Sequence, residues 1–509
     1  MLSKTISCNL NGLVGNMIII EAEILSGFSA FHIVGLPSTS ILESKERIRS
    51  AIHGLGLSMP PGRIIVNLYP GGYRKLGTHF DLPIAMALFG AMGKVNLSKL
   101  EEFAMVGELS LDGRLRPLSP ALPLVIELRS LGKRRVILPE SNLDECRQIE
   151  GVTLYPIKDL KEAYLFFRNE KDLPAISGAC PKNEEFRCLE DYRDIRQQGQ
   201  LKRVLQVAAL GRHSLLLIGP PGVGKTMAMV RYPSLLPNLS YEQSLECSKI
   251  YAIAGLLEDG KMIRRPPFRS PHYSISRAGL LGGGNPPLPG EISLSQHGVL
   301  FLDELAEFPK SLLDLLRTPL ENREVHLARS GKHWTYPADF QLMACMNPCP
   351  CGNHGHPEKE CSCSPRQIDL YLAHLSRPML DRIDLRLEMN STFSEGRLQA
   401  GKEDNLSSQE MKERIDQGRR FQLKRMEKLG IPYNARTDDR ISLSELNFSG
   451  EARDALDRLS STYPLSMRSL RRLSLVARTI ADLDQKKIVL DDHVYESFQY
   501  RKIEYKYWK

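Results

Sequence analysis

The sequence has no hydrophobic run long enough to cross a lipid bilayer. Its longest apolar stretches, such as IAMALFGAM at 84–92, reach about half of the roughly 20 residues that a transmembrane helix needs. The first residues, MLSKTISCNLNGLVG, contain no long apolar segment either, so we expect no secretory signal peptide. These absences exclude a helical membrane protein, and we expect a cytoplasmic protein with no membrane partner.

The chain has few cysteines for its length, and it contains both acidic and basic residues in ordinary numbers. Ten cysteines in 509 residues favour free thiols, with room for one metal site, over a disulfide framework. The formal net charge of +8 permits a nucleic-acid partner without requiring one. The hydrophobic fraction of 42% is ordinary for a globular protein, and the length predicts two or three domains.

Alternating strand-like and helix-like segments predict a multidomain α/β protein. Residues 1–168 form the first predicted domain, and 169–187, which mix charge with proline, glycine and serine, are interpreted as a linker. The α/β pattern resumes over 188–393. A polar stretch then leads into a mostly helical domain at 394–509.

The strongest motif is a glycine-rich loop between an apolar strand and a helix start, in SLLLIGPPGVGKT at 214–226. Glycines let backbone N–H groups approach phosphate oxygens, the lysine reaches the terminal phosphates, and the threonine can bind Mg²⁺. A glycine turn with an exposed lysine is the alternative, which the flanking strand and helix make weak. The predicted ATP and Mg²⁺ site comprises Gly219, Pro220, Pro221, Gly222, Val223, Gly224, Lys225 and Thr226.

Further residues suit ATP hydrolysis. The strand in GVLFLDELAEF ends at Asp303 and Glu304, where one carboxylate can hold Mg²⁺ and the other can activate water. The strand in FQLMACMN ends at Asn347, whose amide can position that water. Ring ATPases carry one arginine that reaches the neighbour's site, followed along the chain by another that belongs to the lid. Arg382 and Arg468 follow in this order. Taken singly, either arginine is more often a surface residue.

Four cysteines crowd into NPCPCGNHGHPEKECSC at 347–363, and four thiolates suit tetrahedral zinc. These cysteines are Cys349, Cys351, Cys361 and Cys363. His354 and His356 could each replace one of them, and a redox pair or a plain loop are the alternatives. We predict a structural zinc knuckle that projects from the ATPase core, near the path of any nucleic-acid partner, and a packed core thiol at Cys345.

Taken together, the motifs resemble the ComM/YifB family of magnesium-chelatase-like AAA+ ATPases. The resemblance rests on FHIVGLPSTSILESKERIRSAI, RIIVNLYPGGYRKLGTHFDLPIA, VGELSLDGRLRP, GPPGVGKT, PFRSPHYSISRAGLLGGGNPPLPGEISLSQHGVLFLDELAEF, NPCPCG, LDRIDL and LSMRSLRRLSLVARTIADL. It implies an N-terminal domain with the Lon-protease fold (ribosomal S5 domain 2-like), an AAA+ P-loop core and a helical C-terminal lid domain. It also implies a homo-oligomeric, hexameric ring that uses ATP for branch migration of branched or single-stranded DNA in natural transformation, with recombination proteins as partners.

The resemblance implies a role for each site residue. Lys225 and Thr226 would bind the phosphates and Mg²⁺, and Asp303 and Glu304 would bind the metal and activate water. Asn347 would be the sensor residue. Arg382 would be the arginine finger that acts on a neighbouring subunit, and Arg468 the sensor arginine of the lid. This chain reads SRPMLDRID where the family reads SGPLLDRID, which makes Arg377 a second candidate for the finger.

Proteolysis of the Lon type needs a serine nucleophile activated by a lysine. The matching segments read GTHFDLPIA at 77–85, with no serine, and RPLSPALPLVIEL at 116–128, with no lysine. We therefore predict that the first domain keeps the Lon fold without the protease chemistry and serves in docking or DNA handling.

Three classes of function remain open: a DNA motor, a chelatase motor that drives metal insertion into a tetrapyrrole, and a protease or protein remodeller. The N-terminal domain and the cysteine loop favour the first class over the second.

The residues that would contact DNA are the hardest to predict from the sequence. Arginines share a predicted helix over 465–483, and the chain ends in RKIEYKYWK, a pattern that suits phosphates and bases but equally suits packing within the domain.

Overall fold

The computed structural model is a mixed α/β protein with two large sheets, one of them wholly parallel. It describes residues 1–179, 190–196, 198–258, 261–329, 332–356, 359–389, 405–437, 441, 444–502 and 504–508. The alternation of strands and helices that the sequence indicates is confirmed.

An eight-stranded mixed sheet organises the first part of the chain. The strands of this part are β1 (Ser3–Asn11), β2 (Val14–Leu25), β3 (Ala30–Val34), β4 (Arg63–Tyr69), β5 (Ala104–Met105), β6 (Glu108–Leu109), β7 (Leu115–Arg116), β8 (Arg135–Pro139), β9 (Thr153–Ile157) and β10 (Ile176–Ser177). The sheet order is β10-β9-β8-β5-β1-β2-β4-β3, and β6 and β7 form a separate hairpin. The antiparallel pairs are β1–β2, β2–β4 and β9–β10.

Helices cover this sheet. They are α1 (Thr39–Gly54), α2 (Asp81–Ala91), α3 (Leu97–Glu102), α4 (Leu122–Ser130), α5 (Leu143–Cys146) and α6 (Leu160–Phe167). All 11 residues of α2 are buried, because it packs between strands β1 and β2 and helices α1 and α6. A helix with apolar side chains on every face is stable only when neighbouring elements bury every face.

The predicted linker at 169–187 is in part a strand of the first sheet. β10 pairs with β9, and Gly178 N–H donates to Val152 O at 2.9 Å. A Cβ at Gly178 would lie 1.8 Å from Ile149 O, so the backbone passes in direct contact with the sheet. The reason is that the open edge of β9 offers unpaired backbone groups, which the continuing chain satisfies. Residues 180–187 lie outside the described residues.

The second sheet has five parallel strands, in the order β12-β15-β18-β11-β19. The strands of the second part are β11 (Leu215–Ile218), β12 (Phe268–Arg269), β13 (Gly282–Gly284), β14 (Pro287–Pro289), β15 (Val299–Leu302), β16 (Glu324–Arg329), β17 (Lys332–Pro337), β18 (Gln341–Met346) and β19 (Leu385–Glu388). Pairs β13–β14 and β16–β17 are hairpins. Every residue of β11, β15 and β18 is buried, as expected for a parallel sheet covered on both faces.

Helices surround the second sheet and form the C-terminal part. Those around the second sheet, which with it form the core, are α7 (Gly199–Gly211), α8 (Lys225–Arg231), α9 (Tyr241–Ile253), α10 (Arg277–Leu281), α11 (Glu291–Leu294), α12 (Lys310–Leu315), α13 (Arg317–Asn322), α14 (Pro365–Leu372) and α15 (Arg377–Leu380). The C-terminal helices are α16 (Ser408–Leu429), α17 (Gly450–Thr462), α18 (Met467–Leu483), α19 (Asp491–Lys502) and α20 (Glu504–Tyr507). Helices α16 and α18 pack on α7 and share its buried cluster.

The first sheet is joined to the core through α4 and α9. Leu245 and Ala252 of α9 belong to the same buried cluster as Leu124 and Leu128 of α4. Beside them, the ammonium of Lys249 pairs with the carboxylate of Glu127, and both side chains are nearly buried. The two parts therefore share apolar core as well as an ion pair.

Candidate nucleotide and zinc sites

The phosphate loop lies between β11 and α8, at the carboxyl edge of the parallel sheet. Gly222 and Gly224 have φ angles of +83° and +86°, a conformation that glycine adopts without strain. A Cβ at Gly219 would lie 2.6 Å from Met389 O, so the close approach of β19 leaves room for glycine alone. The shape of the loop thus explains its glycines.

Lys225 is buried inside the loop. Its ammonium donates to Gly219 O at 2.6 Å, to Pro220 O at 2.9 Å and to Asn347 Oδ1 at 3.0 Å. Burial lowers the pKa of Lys225, although nearby carboxylates oppose the shift. Because a lysine has three donors and no acceptor, these three oxygens satisfy the ammonium and hold it inside the loop.

Thr226 and Asp303 meet at the mouth of the loop. Thr226 Oγ1 donates to Asp303 Oδ2 at 2.7 Å, and Glu304 N–H donates to Asp303 Oδ1 at 2.9 Å. A hydroxyl and a carboxylate at this spacing form an oxygen donor set of the kind that Mg²⁺ prefers. Glu304 is exposed and has a φ of +51°, a strained conformation for a residue with a side chain, and it is accessible to water.

Asn347 completes this edge. Its strand, β18, lies between β15 and β11, so parallel topology brings Asn347 beside Asp303 and Lys225. Tyr371 on α14 is a further neighbour that sequence reasoning missed. Burial and the charge of Glu307 raise the pKa of Tyr371, whereas the backbone N–H of Asn347 lowers it. No motif marks Tyr371, because its place depends on how α14 packs over the strand ends.

Arg382 and Arg468 meet at another place, the carboxylate of Glu321. Arg382 Nη2 lies 2.7 Å and Arg468 Nη1 2.5 Å from the same Glu321 oxygen. Ser214, which directly precedes β11, donates from Oγ to Arg382 O at 2.9 Å, so this cluster lies at the amino edge of the sheet. The four residues of β11 separate that edge from the phosphate loop by roughly 13 Å. Arg377 is exposed at the start of α15.

Two further arginines of α18 are engaged inside the protein. Arg472 pairs with Asp384 and donates to Arg382 O at 3.1 Å. Arg478 is fully buried and lies 2.9 Å from Asp482, one turn further along the helix. These contacts favour the packing interpretation of the helix over the DNA-binding one.

The four cysteines of the predicted zinc site gather in one cluster. Their sulfurs all lie within 4.8 Å of one another. The distances from Cys349 to Cys351, from Cys349 to Cys361 and from Cys351 to Cys361 are 3.4, 3.7 and 3.6 Å. Sulfurs bound about 2.3 Å from a tetrahedral zinc lie roughly 3.8 Å apart. The spacing therefore fits a zinc site.

The histidines of the loop have other contacts. The His354 ring packs against Tyr507, with 6.3 Å between ring centroids, and His354 N–H donates to Cys349 Sγ at 3.3 Å. His356 Nδ1 accepts the N–H of Lys359. The backbone N–H of Asn353 lowers the pKa of Cys351, whereas burial raises the pKa of Cys349. The gathered donor set is thus the four cysteines.

The cysteine loop lies against the phosphate loop, so the predicted projection from the core is wrong. A Cβ at Gly352 would lie 2.5 Å from Pro221 Cδ, and Cys349 is fully buried. The reason is that Asn347, held by Lys225, anchors the start of the cysteine loop beside the phosphate loop. The prediction of a core thiol at Cys345 is confirmed, since it is buried within β18.

A cavity of about 630 Å³ lies between the first sheet and the hairpins of the core. Thr78, His79 and Ser119 are among its lining residues, and no lysine of the described chain lines it. His79 is buried, its Nε2 lies 2.8 Å from Cys8 O, and burial lowers its pKa to about 4.

None of the helices that the structure describes combines the length and the apolar character needed to span a membrane.

A parallel sheet that carries a phosphate loop, an acidic strand end and a polar neighbouring strand end defines a P-loop ATPase. Comparisons with known proteins narrow this class. Family profiles described as "Magnesium chelatase, subunit ChlI", "Subunit ChlI of Mg-chelatase" and "Magnesium chelatase, subunit ChlI C-terminal" match residues 191–396, 20–142 and 405–501.

Relatives extend this similarity along nearly the whole chain. YifB of Escherichia coli is 40% identical over 488 residues, which cover 96% of this chain and 94% of YifB. Competence protein ComM of Haemophilus influenzae is 34% identical over 493 residues, 96% and 95% of the two chains. The chain therefore belongs to the ComM/YifB family of magnesium-chelatase-like AAA+ ATPases. A shorter similarity, 26% over 145 residues, covers 27% of this chain and 26% of Lon protease 2 of Bacillus subtilis.

Proposed function

We propose that this protein is a cytoplasmic ATP-driven motor that moves branched DNA during natural transformation. The observation that carries the ATPase part is the convergence of Lys225, Thr226, Asp303 and Asn347 at one edge of the parallel sheet. The DNA part is supported by the similarity to a protein named for competence.

In the proposed reaction each side chain has one task. Lys225 binds the terminal phosphates, and Thr226 and Asp303 hold Mg²⁺. When bound, Mg²⁺ neutralises the charge that develops on the phosphates. Glu304, which is exposed beside this pair, accepts a proton from the attacking water, and Asn347 orients that water.

The site is proposed to be completed by a second copy of the chain in a hexameric ring. Arg382 and Arg468 share Glu321 at the amino edge, on the far side of the sheet from the chain's own phosphate loop. In a head-to-tail ring, this edge of one protomer can face the nucleotide of the next. Both arginines would then act on the neighbour, including Arg468, which the sequence places in the lid.

We also propose that Cys349, Cys351, Cys361 and Cys363 bind one structural Zn²⁺. The spacing of their sulfurs supports it. Metal analysis of the purified protein should find about one zinc per chain, the capacity of a site with four cysteine ligands. Replacement of all four cysteines by serine should abolish it. A chain without zinc, whose quadruple variant folds normally, would contradict this proposal.

A chelatase-type motor is the second candidate, because all three matching profiles describe a magnesium-chelatase subunit. Such a motor would use the same ATPase residues to drive metal insertion or to remodel a protein partner. Its ATPase rate would respond to tetrapyrrole or protein partners and would be indifferent to DNA.

The deciding experiment measures ATP hydrolysis with no DNA, single strands, duplex and a four-way junction. Lys225→Ala serves as the inactive control. We expect DNA to stimulate hydrolysis, most strongly as the junction, and the junction to be unwound. A rate that depends on Lys225 but is the same with every DNA would refute the DNA motor and favour the chelatase-type alternative.

A further inference from the structure

We propose that the cysteine loop forms the outer wall of the nucleotide site, so that zinc and nucleotide strengthen each other's binding. This inference rests on the zinc site and the ATPase proposed above. It adds that the two ligands are energetically coupled, which neither site requires by itself.

The first contact between the sites runs through the backbone. Asn347 Oδ1 accepts from Lys225 Nζ at 3.0 Å, and Cys349, a zinc ligand in the proposed site, follows two residues later. Cys349 is fully buried. A displacement of Cys349 therefore moves the side chain that helps to hold the phosphate-binding ammonium.

The second contact is direct packing. Gly352 has a φ of +80°, and a Cβ placed there would lie 2.5 Å from Pro221 Cδ. The cysteine loop thus touches the glycine-rich loop with no space for a methyl group. Interiors packed this closely transmit displacements instead of absorbing them.

The third contact uses the end of the chain. The Tyr507 ring packs on His354 of the cysteine loop, and Tyr507 Oη donates to Glu388 Oε1 at 2.6 Å. The adjacent Met389 donates its N–H to Ile218 O at 2.7 Å, and its carbonyl lies against Gly219. The cysteine loop, the chain end and β19 therefore surround the start of the phosphate loop.

Zinc would make this wall rigid. Four thiols on a loop rich in glycine and histidine have no large apolar core of their own, and a metal that crosslinks them supplies the folding energy. Without the crosslink, Gly352 and Asn347 lose their fixed positions against Pro221 and Lys225. Because coupling between two binding sites is reciprocal, nucleotide must then also strengthen zinc binding.

The first test measures both directions of the coupling on the full chain. Removing zinc with a chelator should weaken binding of a fluorescent ADP analogue with Mg²⁺ by about fivefold or more, the low end of typical coupling. Excess ADP with Mg²⁺ should tighten zinc binding by the same factor, measured by equilibrium competition with the chelator. Circular dichroism checks that the zinc-free chain stays folded.

A pair of glycine variants tests the packing without touching any cysteine. Gly352→Ala should keep its zinc and bind the ADP analogue at least about fivefold more weakly, because the methyl group pushes the two loops apart. Gly355→Ala is the matched control. Gly355 has a similar φ of +77°, but among the described residues its Cβ would meet only Lys506 Nζ, at 3.8 Å. Nucleotide binding by this variant should therefore stay near that of the unaltered chain.

The outcomes separate this inference from the proposals beneath it. If no zinc is bound, the zinc site is wrong and the coupling falls with it. If the zinc-loaded chain fails to bind nucleotide, the ATPase proposal is wrong. If both ligands bind, but zinc removal and Gly352→Ala leave nucleotide affinity unchanged, both sites stand and the coupling is refuted.

Discussion

The hydroxyl of Thr226 touches a single carboxylate, and that contact defines its role. Thr226 Oγ1 lies 2.7 Å from Asp303 Oδ2, at the first turn of α8, where it can share a cation with Asp303. Lys225, the preceding residue, points into the loop and binds three oxygens there. In the proposed reaction, these adjacent residues therefore divide metal binding from phosphate binding.

We expect Thr226→Val to raise the Mg²⁺ concentration needed for half-maximal ATP hydrolysis by at least about tenfold, the loss typical of disturbing a metal's ligand environment. Valine keeps the shape of threonine and removes its oxygen ligand. Thr226→Ser keeps the oxygen and is the control, which should need nearly the normal concentration. Equal Mg²⁺ dependence of the two variants would show that the hydroxyl is not a ligand.

At the scale of elements, Asp384 joins β11, β19 and α18 at the amino edge of the sheet. Its carboxylate accepts Ser214 N–H at 3.1 Å, pairs with Arg472 and lies 3.4 Å from His213 Nδ1. Burial alone would raise the pKa of Asp384, but the charge of Arg472 and the nearby His213 ring outweigh it and hold the pKa well below its usual range. The carboxylate therefore stabilises the junction of sheet and C-terminal helices.

Asp384→Asn should lower the free energy of unfolding by about 3–5 kcal/mol, the cost of leaving a buried charge unpaired. A depressed carboxyl pKa contributes stability that is complete above the unfolded value of about 3.9 and is lost as the pH falls below it. The unaltered protein should therefore lose stability below about pH 4 more steeply than the variant. Denaturant unfolding at pH 7 and in acid measures both effects, with the exposed Asp112→Asn as control; equal stabilities at pH 7 would contradict the assignment.

At the scale of the whole molecule, one chain presents its phosphate loop and its arginine pair on opposite edges of one sheet. Arg382 and Arg468 converge on Glu321 at the amino edge, while Lys225 lies at the carboxyl edge. We propose that these two edges are half-sites, which a ring would combine between adjacent copies.

Two inactive variants should restore activity when they are mixed. Lys225→Ala removes the phosphate half-site and Arg382→Ala the arginine half-site, so an equal mixture should regain up to about a quarter of normal ATP hydrolysis if the chains assemble at random. Lys225→Ala mixed with Glu304→Gln is the control and should stay inactive, because both changes fall in the same half-site. Absence of recovery in mixed rings that are shown to form would refute the shared site.

Contiguous residues were enough to predict which side chains meet at the carboxyl edge of the parallel sheet. The phosphate loop, Asp303 and Asn347 are each readable from a strand and the residues that follow it, because all strands of a parallel sheet end at the same edge. The alternation of strands and helices likewise predicted the mixed α/β class. These features depend on local conformation and on one topological rule, so short sequence patterns suffice.

Contacts between distant segments could be decided only by packing. The meeting of Arg382 and Arg468 at Glu321, the closure of Gly352 on Pro221, and the place of Tyr371 each join residues from separate elements. The pairing of β10 with β9 inside the predicted linker has the same origin. No local sequence pattern encodes these contacts. They depend on which surfaces of separate helices, strands and loops come together when the whole chain packs.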